Sequence, residues 1–180
     1  WDPDLSTANK AILANDLILT GLANRQTSDS SFGTPAGYPK IGTYGRASNQ
    51  AHIWFYKKAA GGETGPTYTT VFNSECIGIT LIIRGVDTTT QITASSARKD
   101  WVNSGSFNSD TPTAAAGDLV IHSCSCNNTA QFSRAKLSQL TGLARYDGAN
   151  VALAVGYKQV ESAGAVSAVT WYNKGTTNGG

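Results

Sequence analysis

Apolar residues recur at every second position in several short stretches of the chain, and Gly, Ser, Asn and Pro separate those stretches. That is the period of β-strands, not of helices. The first stretch is residues 16–23 (DLILTGLA), followed by a polar loop over 24–31. Two further strands are predicted over 37–44 and 50–58, joined by a hairpin-like loop at 45–49. The second of these, QAHIWFYKK, sets His52, Trp54 and Tyr56 on one face and Ile53 and Phe55 on the other. Bulk on both faces predicts a strand covered on both sides or one that exposes an aromatic stripe. Beyond the turn residues Gly61, Gly62, Gly65 and Pro66, strands are predicted over 67–72 and 76–84, the latter ended by Gly85 before a turn over 86–90. Residues 93–116 are polar with little apolar period and read as a long loop with at most one edge strand. Strands are again predicted over 118–126, 150–160 and 166–173, with a flexible tail over 174–180. The one helical candidate is SRAKLSQL, residues 133–140, where Ser133 could cap and Leu137 and Leu140 lie three apart.

The order of these strands repeats. Asp16-Leu17-Ile18-Leu19 opens a strand in the first half, and a later strand ends in Tyr56-Lys57, with a turn at Gly62-Glu63 and a strand start at Thr67-Tyr68-Thr69. In the second half Asp118-Leu119-Val120-Ile121, Tyr157-Lys158, a turn at Glu161 to Gly164, and Val169-Thr170-Trp171 follow in the same order. Asp16 to Tyr56 spans 56 − 16 = 40 positions, and Asp118 to Tyr157 spans 157 − 118 = 39. The expected fold is all-β: a β-sandwich or jelly roll with an internal pseudo-two-fold repeat. The predicted organisation is an N-terminal arm (1–14), one sandwich domain (15–173) and the tail. Its half-repeats are approximately 15–92 and 117–173, joined by the loop 93–116. Sheets of this kind hide their edges only in part, so an oligomer partner is expected as a cover.

The chain has 180 residues, a formal net charge of +2 and only 14% charged residues. With no cluster of Lys and Arg, nucleic acid is not an expected partner. The longest apolar runs fall far short of the roughly 20 residues of a membrane-spanning helix, so no membrane insertion is expected. No Met occurs and Trp1 stands first, so the sequence is expected to begin after the natural start.

Chemistry-bearing residues are few. Cys76, Cys124 and Cys126 form an odd set, and the last two share a strand face at about 6 to 7 Å, beyond easy disulfide reach. All three are read as reduced thiols behaving as small apolar residues. His122, Cys124 and Cys126 on one strand face lack the spacing and the fourth ligand of a zinc site, so no metal and no cofactor is expected. His52 and His122 both fall inside predicted strands, and His122 beside Ser123 or Cys124 is adjacency across two faces, not a triad. Glu63, Glu75, Asp87, Asp100, Asp110, Asp147 and Glu161 could supply a carboxylate pair, yet most sit in turns, where capping explains them. No catalytic residues are assigned. A ligand site is the stronger candidate: Trp54 and Tyr56 on one strand face, with Asp100, Trp101 and Asn103 in the long loop, combine flat rings for sugar faces with fixed polar groups for hydroxyls. Core or subunit-interface packing of Trp54 and Tyr56 is the simpler account. Asn127-Asn128-Thr129 matches a glycosylation sequon, which matters only in a eukaryotic secretory setting.

One stretch resembles a known module. Trp54 to Lys58 leads through Gly61-Gly62-Glu63 to Thr67-Tyr68-Thr69, and Ile77 to Ile83 then closes with Arg84-Gly85-Val86-Asp87-Thr88-Thr89-Thr90. This series is similar to a β-sandwich module of phage virion structural proteins and related bacterial surface proteins. The opening Trp1-Asp2-Pro3, with Leu17-Ile18-Leu19, resembles the start of many phage structural proteins. The loop 93–116, the pair Cys124 and Cys126, and Gly37-Tyr38-Pro39 in place of a Gly-Trp-Thr turn depart from the pattern. The resemblance implies a non-enzymatic virion protein, a capsid decoration (cement) protein or a tail or fibre component. Its implied partners are other virion proteins and itself as a homo-oligomer. The alternative is a carbohydrate-binding or host-adhesion module, secreted or on a cell surface, with host glycans as partners. The Arg-Gly-Val-Asp turn has its own physical account: Gly85 allows a sharp bend and Asp87 can accept backbone amides of Thr88 and Thr89.

Overall fold

The computed structural model describes residues 11–25, 32–46, 50–63, 68, 75–87, 89, 92, 106–127, 132–135, 140–147 and 151–173. Every regular element among them is a β-strand, and every strand pairing is antiparallel. Among the described residues no helix is long and apolar enough to cross a membrane. The chain divides into two compact units, residues 2–95 and residues 96–180 with Trp1.

The first unit is built on four strands: β1 (Leu17–Asn24), β2 (Lys40–Arg46), β3 (Gln50–Lys58) and β4 (Cys76–Ile83), in the order β2-β3-β1-β4. β1 pairs with β3 from Leu17 opposite Lys58 to Asn24 opposite Ala51, and with β4 from Leu17 opposite Ile83 to Asn24 opposite Cys76. Every residue of β1 is buried, so this central strand is covered on both faces. Ile18, Leu22, Ala51, Ile53 and Phe55 point to one face and pack with Phe32, Tyr38 and Ala59 into a core. Tyr68, the one described residue of the predicted strand 67–72, packs against Phe55 with ring centroids 5.3 Å apart. On this face Thr20 and Thr80 stand directly opposite each other, and their hydroxyls bond at 2.9 Å, which satisfies two polar groups inside the sheet. Leu17, Leu19, Ala23, Trp54, Ile77, Ile79 and Leu81 are buried on the other face.

Among the described residues the second unit holds eight strands: β5 (Ser106–Asn108), β6 (Thr113–Ala114), β7 (Leu119–Asn127), β8 (Phe132–Ala135), β9 (Gly142–Asp147), β10 (Val151–Gln159), β11 (Gly164–Ala165) and β12 (Thr170–Asn173). They form sheets β7-β10-β9, β11-β6 and β5-β12-β8. β10 is buried from Val151 through Gly156, and the Leu140 side chain lies where a Cβ on Gly156 would stand. Only glycine leaves room for that contact.

Several expectations need correction. The marginal helical candidate at 133–140 gives way at its start to β8, because pairing of Phe132–Ala135 with β12 outweighs a two-turn helical pattern. The loop expected over 93–116 contains two short strands, β5 and β6, whose partners β12 and β11 lie about 50 to 65 residues downstream, outside any local pattern. β9 went unpredicted, since GLARYD carries little alternation and is held by its pairing with β10. The strand expected over 166–173 is regular only from Thr170, with a separate bridge at Gly164–Ala165. Residues 1–10 of the arm expected over 1–14 and the tail at 174–180 lie outside the described residues, as does the sequon residue Asn128.

The two units share one turn, bond for bond. Before β1, the Asp16 amide donates to Leu13 O at 3.1 Å, and Asp16 Oδ2 accepts the Leu13 amide at 2.9 Å. Before β7, the Asp118 amide donates to Ala115 O at 3.2 Å, and Asp118 Oδ2 accepts the Ala115 amide at 2.8 Å. Asn15 and Gly117, the third residues of these turns, have φ of 71° and 90°. That is the left-handed region, where Gly and Asn carry the least steric cost. Asn15 donates to Ala59 O and Ala59 to Asp16 O, at 2.9 and 2.8 Å; Gly117 donates to Val160 O and Val160 to Asp118 O, at 2.7 and 2.9 Å.

Candidate functional site

The aromatic stripe of β3 is the first place to look. His52, Trp54 and Tyr56 share a face, opposite Ala23, Gly21 and Leu19 of β1. Trp54 is only 7% exposed, and a Cβ on Gly21 would meet its Cζ2 at 2.6 Å, so the indole lies flat on a backbone that only glycine leaves bare. The His52 ring sits 5.9 Å from the indole, tilted by 57°. Its Nε2 is buried with no hydrogen-bond partner, and burial pushes the imidazole down to about 4, so it is neutral at pH 7. Tyr56 is half-buried. Asp100, Trp101 and Asn103, the other residues expected at the site, lie outside the described residues. A buried indole packed on a strand has no free ring face for a pyranose.

Asp16, Glu63 and Asp87 are engaged in structure. Asp16 is buried beneath Arg84, whose Nε lies 3.2 Å from both carboxylate oxygens, and Arg84 Nη2 donates to Ala11 O at 2.7 Å. Glu63 accepts the Ala60 amide at 2.9 Å and pairs with Lys57 at 3.1 Å. The amide of Ala60 and then the neighbouring Lys57 hold its carboxyl below the usual carboxylate range. Lys57 Nζ also lies 5.3 Å over the Tyr38 ring, within cation–π range. Asp87 Oδ1 accepts both the amide and the hydroxyl of Thr89, each at 2.8 Å, which closes the expected corner after Gly85; Thr88 is outside the described residues.

The arrangement that sequence reasoning missed is in the second unit. Ser109, next after β5, places its Oγ 3.0 Å from Nδ1 of the buried His122 on β7. The same Oγ accepts the Val169 amide at 2.9 Å and donates to Asp110 O at 3.2 Å. Which atom donates between Oγ and Nδ1 follows the imidazole tautomer, and His122 Nε2 is buried with no partner. Burial, and then the charge of Lys158, hold the imidazole below its ordinary value. A serine so bonded is a three-way tie between β5, β7 and the approach to β12. The only signal in the sequence was His122 itself, since Ser109 is 13 positions upstream with nothing to mark it.

Cys76 and Cys124 are free thiols, and burial pushes Cys76 up. His122 and Cys124 share a face of β7, but the described residues contain no group of three side chains able to hold a metal ion. Comparison of the chain with family profiles, with curated proteins and with solved structures finds no match in any of the three.

Proposed function

We propose that the chain is a non-enzymatic structural protein of a virion, a capsid decoration protein or a tail or fibre component, that works by packing against other virion proteins and against copies of itself. The observation that carries this reading is the use to which its reactive groups are put. Asp16, Glu63, Asp87 and Asp118 each accept the hydrogen bonds of a turn, and Ser109 with His122 ties three segments together. Two strands covered on both faces, β1 and β10, add the rigid apolar build of a shell component. The β-sandwich with an internal repeat belongs to the same proposal. Supporting the repeat are the matching turns at 13–16 and 115–118 and the matching strand orders β2-β3-β1 and β9-β10-β7.

Light scattering of the full chain over a range of concentrations tests the reading. A closed oligomer that also decorates purified particles fits it, whereas a chain that stays monomeric and ignores particles overturns it.

A further inference from the structure

We propose that Ser109 and His122 form an acid-sensitive clasp: proton uptake by His122 loosens the contact between the sheets β5-β12-β8 and β7-β10-β9 and opens the second unit locally.

The register shows what the clasp holds. Residues 106–108 pair with 170–172, residues 113–114 with 164–165, and residues 119–127 with 151–159. The register is the same in all three, so 106–127 and 151–172 form one antiparallel ribbon, interrupted by the turn at 115–118. In its outer arm the Ser109 amide donates to Val169 O at 2.9 Å, which sets these two residues opposite each other. Opposed residues share a face, and so do residues two apart, so Ser109, Val169 and Trp171 look the same way. Ser109 Oγ lies 3.0 Å from His122 Nδ1, so this face lies over the one on which β7 carries His122 and Cys124. Val169, Trp171, His122 and Cys124 are all buried, whereas Tyr172, on the reverse face of the arm, is exposed. The ribbon doubles back on itself, and the bond between Ser109 and His122 closes it.

A neutral imidazole suits this position and a charged one does not. Whichever nitrogen carries the proton, Nε2 has no partner; in the imidazolium it becomes a buried N–H with nothing to accept it, on a ring whose charge is kept from water. From β10, Gly156 stands opposite His122 with the Leu140 side chain above it, and Lys158 follows two positions on. Lys158 repels the imidazolium, and with burial it holds the ring below its ordinary value. Asp110 follows Ser109 in the outer arm, and across β10 Arg145 and Asp147 of β9 pair with Ala154 and Ala152. Once the arm lifts, the ring meets water and takes a proton at its ordinary value of 6.5. The closed form is therefore favoured in full above pH 6.5, and opening grows as the pH falls below it until the closed form binds the proton too.

Cys124 reports the opening, since it is a reduced thiol on the covered face. In the chain carrying Cys76→Ala and Cys126→Ala it is the one thiol left, and 4,4′-dithiodipyridine labels thiols in acid as well as at neutral pH. Divided by the rate for the unfolded chain at the same pH, its labelling should rise about threefold or more from pH 7.5 to 5. The rate should also climb with urea far less steeply than global unfolding does, as a local opening requires. His122→Gln cannot titrate and should flatten the acid rise. Should that variant fail to fold, His52→Gln leaves His122 as the only histidine, and the rise must persist in full. Labelling that ignores pH, that rises equally in His122→Gln, that loses its rise in His52→Gln, or that follows the urea slope of global unfolding would overturn the clasp. Each of these results leaves the assembly reading untouched.

Discussion

Gly21 and Trp54 show how much a single missing side chain decides. The indole occupies the space of a Cβ, so Gly21→Ala must push Trp54 off a strand buried on both sides. Overpacking of this kind costs about 1 to 3 kcal/mol, which urea unfolding would read as a lower midpoint at unchanged slope. The histidines make a second residue-scale prediction. Both are held below the ordinary value of 6.5, His52 at about 4, so the unfolded chain takes up protons that the folded chain refuses. Stability is then full above pH 6.5, falls as the pH drops through 6.5, and levels off below about 4; His52 alone accounts for roughly 3 kcal/mol of that loss. Thermal melts across pH 4 to 7 should show this slope, and His52→Phe should flatten it. These features were half legible in the sequence. His52 and Trp54 shared a face by simple alternation, but no pattern could say that the face was covered, and Ser109 could not be matched to His122 at all.

At the scale of elements, the shared turn carries the sharpest expectation. Asp118→Ala removes the acceptor of the Ala115 amide and should cost about 1 kcal/mol, as the loss of a helix cap does. Asp16→Ala should cost more, about 2 kcal/mol, because the half-exposed Arg84 loses its charged partner as well. Chemical denaturation of the two variants side by side measures the difference. Strands with strong alternation or long apolar runs, β1, β3, β4, β7 and β10, were legible from the chain. Those at 106–108, 113–114, 132–135 and 142–147 were not, because two to six residues hold too little period and their pairing comes from partners far along the chain. SRAKLSQL shows the same limit: its spacing suits a helix, and pairing with β12 overrules it at Phe132–Ala135.

For the molecule as a whole, the all-β class followed from periodicity, since alternation ran through both halves and helical spacing hardly occurred. The division at residue 95/96 had no linker signature, only a polar stretch that also holds strands.

The register of β1 also sets a timetable for synthesis. Leu17 pairs with Ile83, 83 − 17 = 66 residues later in the chain. At roughly 5 to 20 residues per second, LILTGLAN emerges about 3 to 13 s before the strand that closes its second side has been made. For about the first 2 to 8 s of that interval β3 has not been made either, since Lys58 follows Leu17 by 58 − 17 = 41 residues, and a strand buried on both faces in the finished sheet waits with no partner but what the cell supplies.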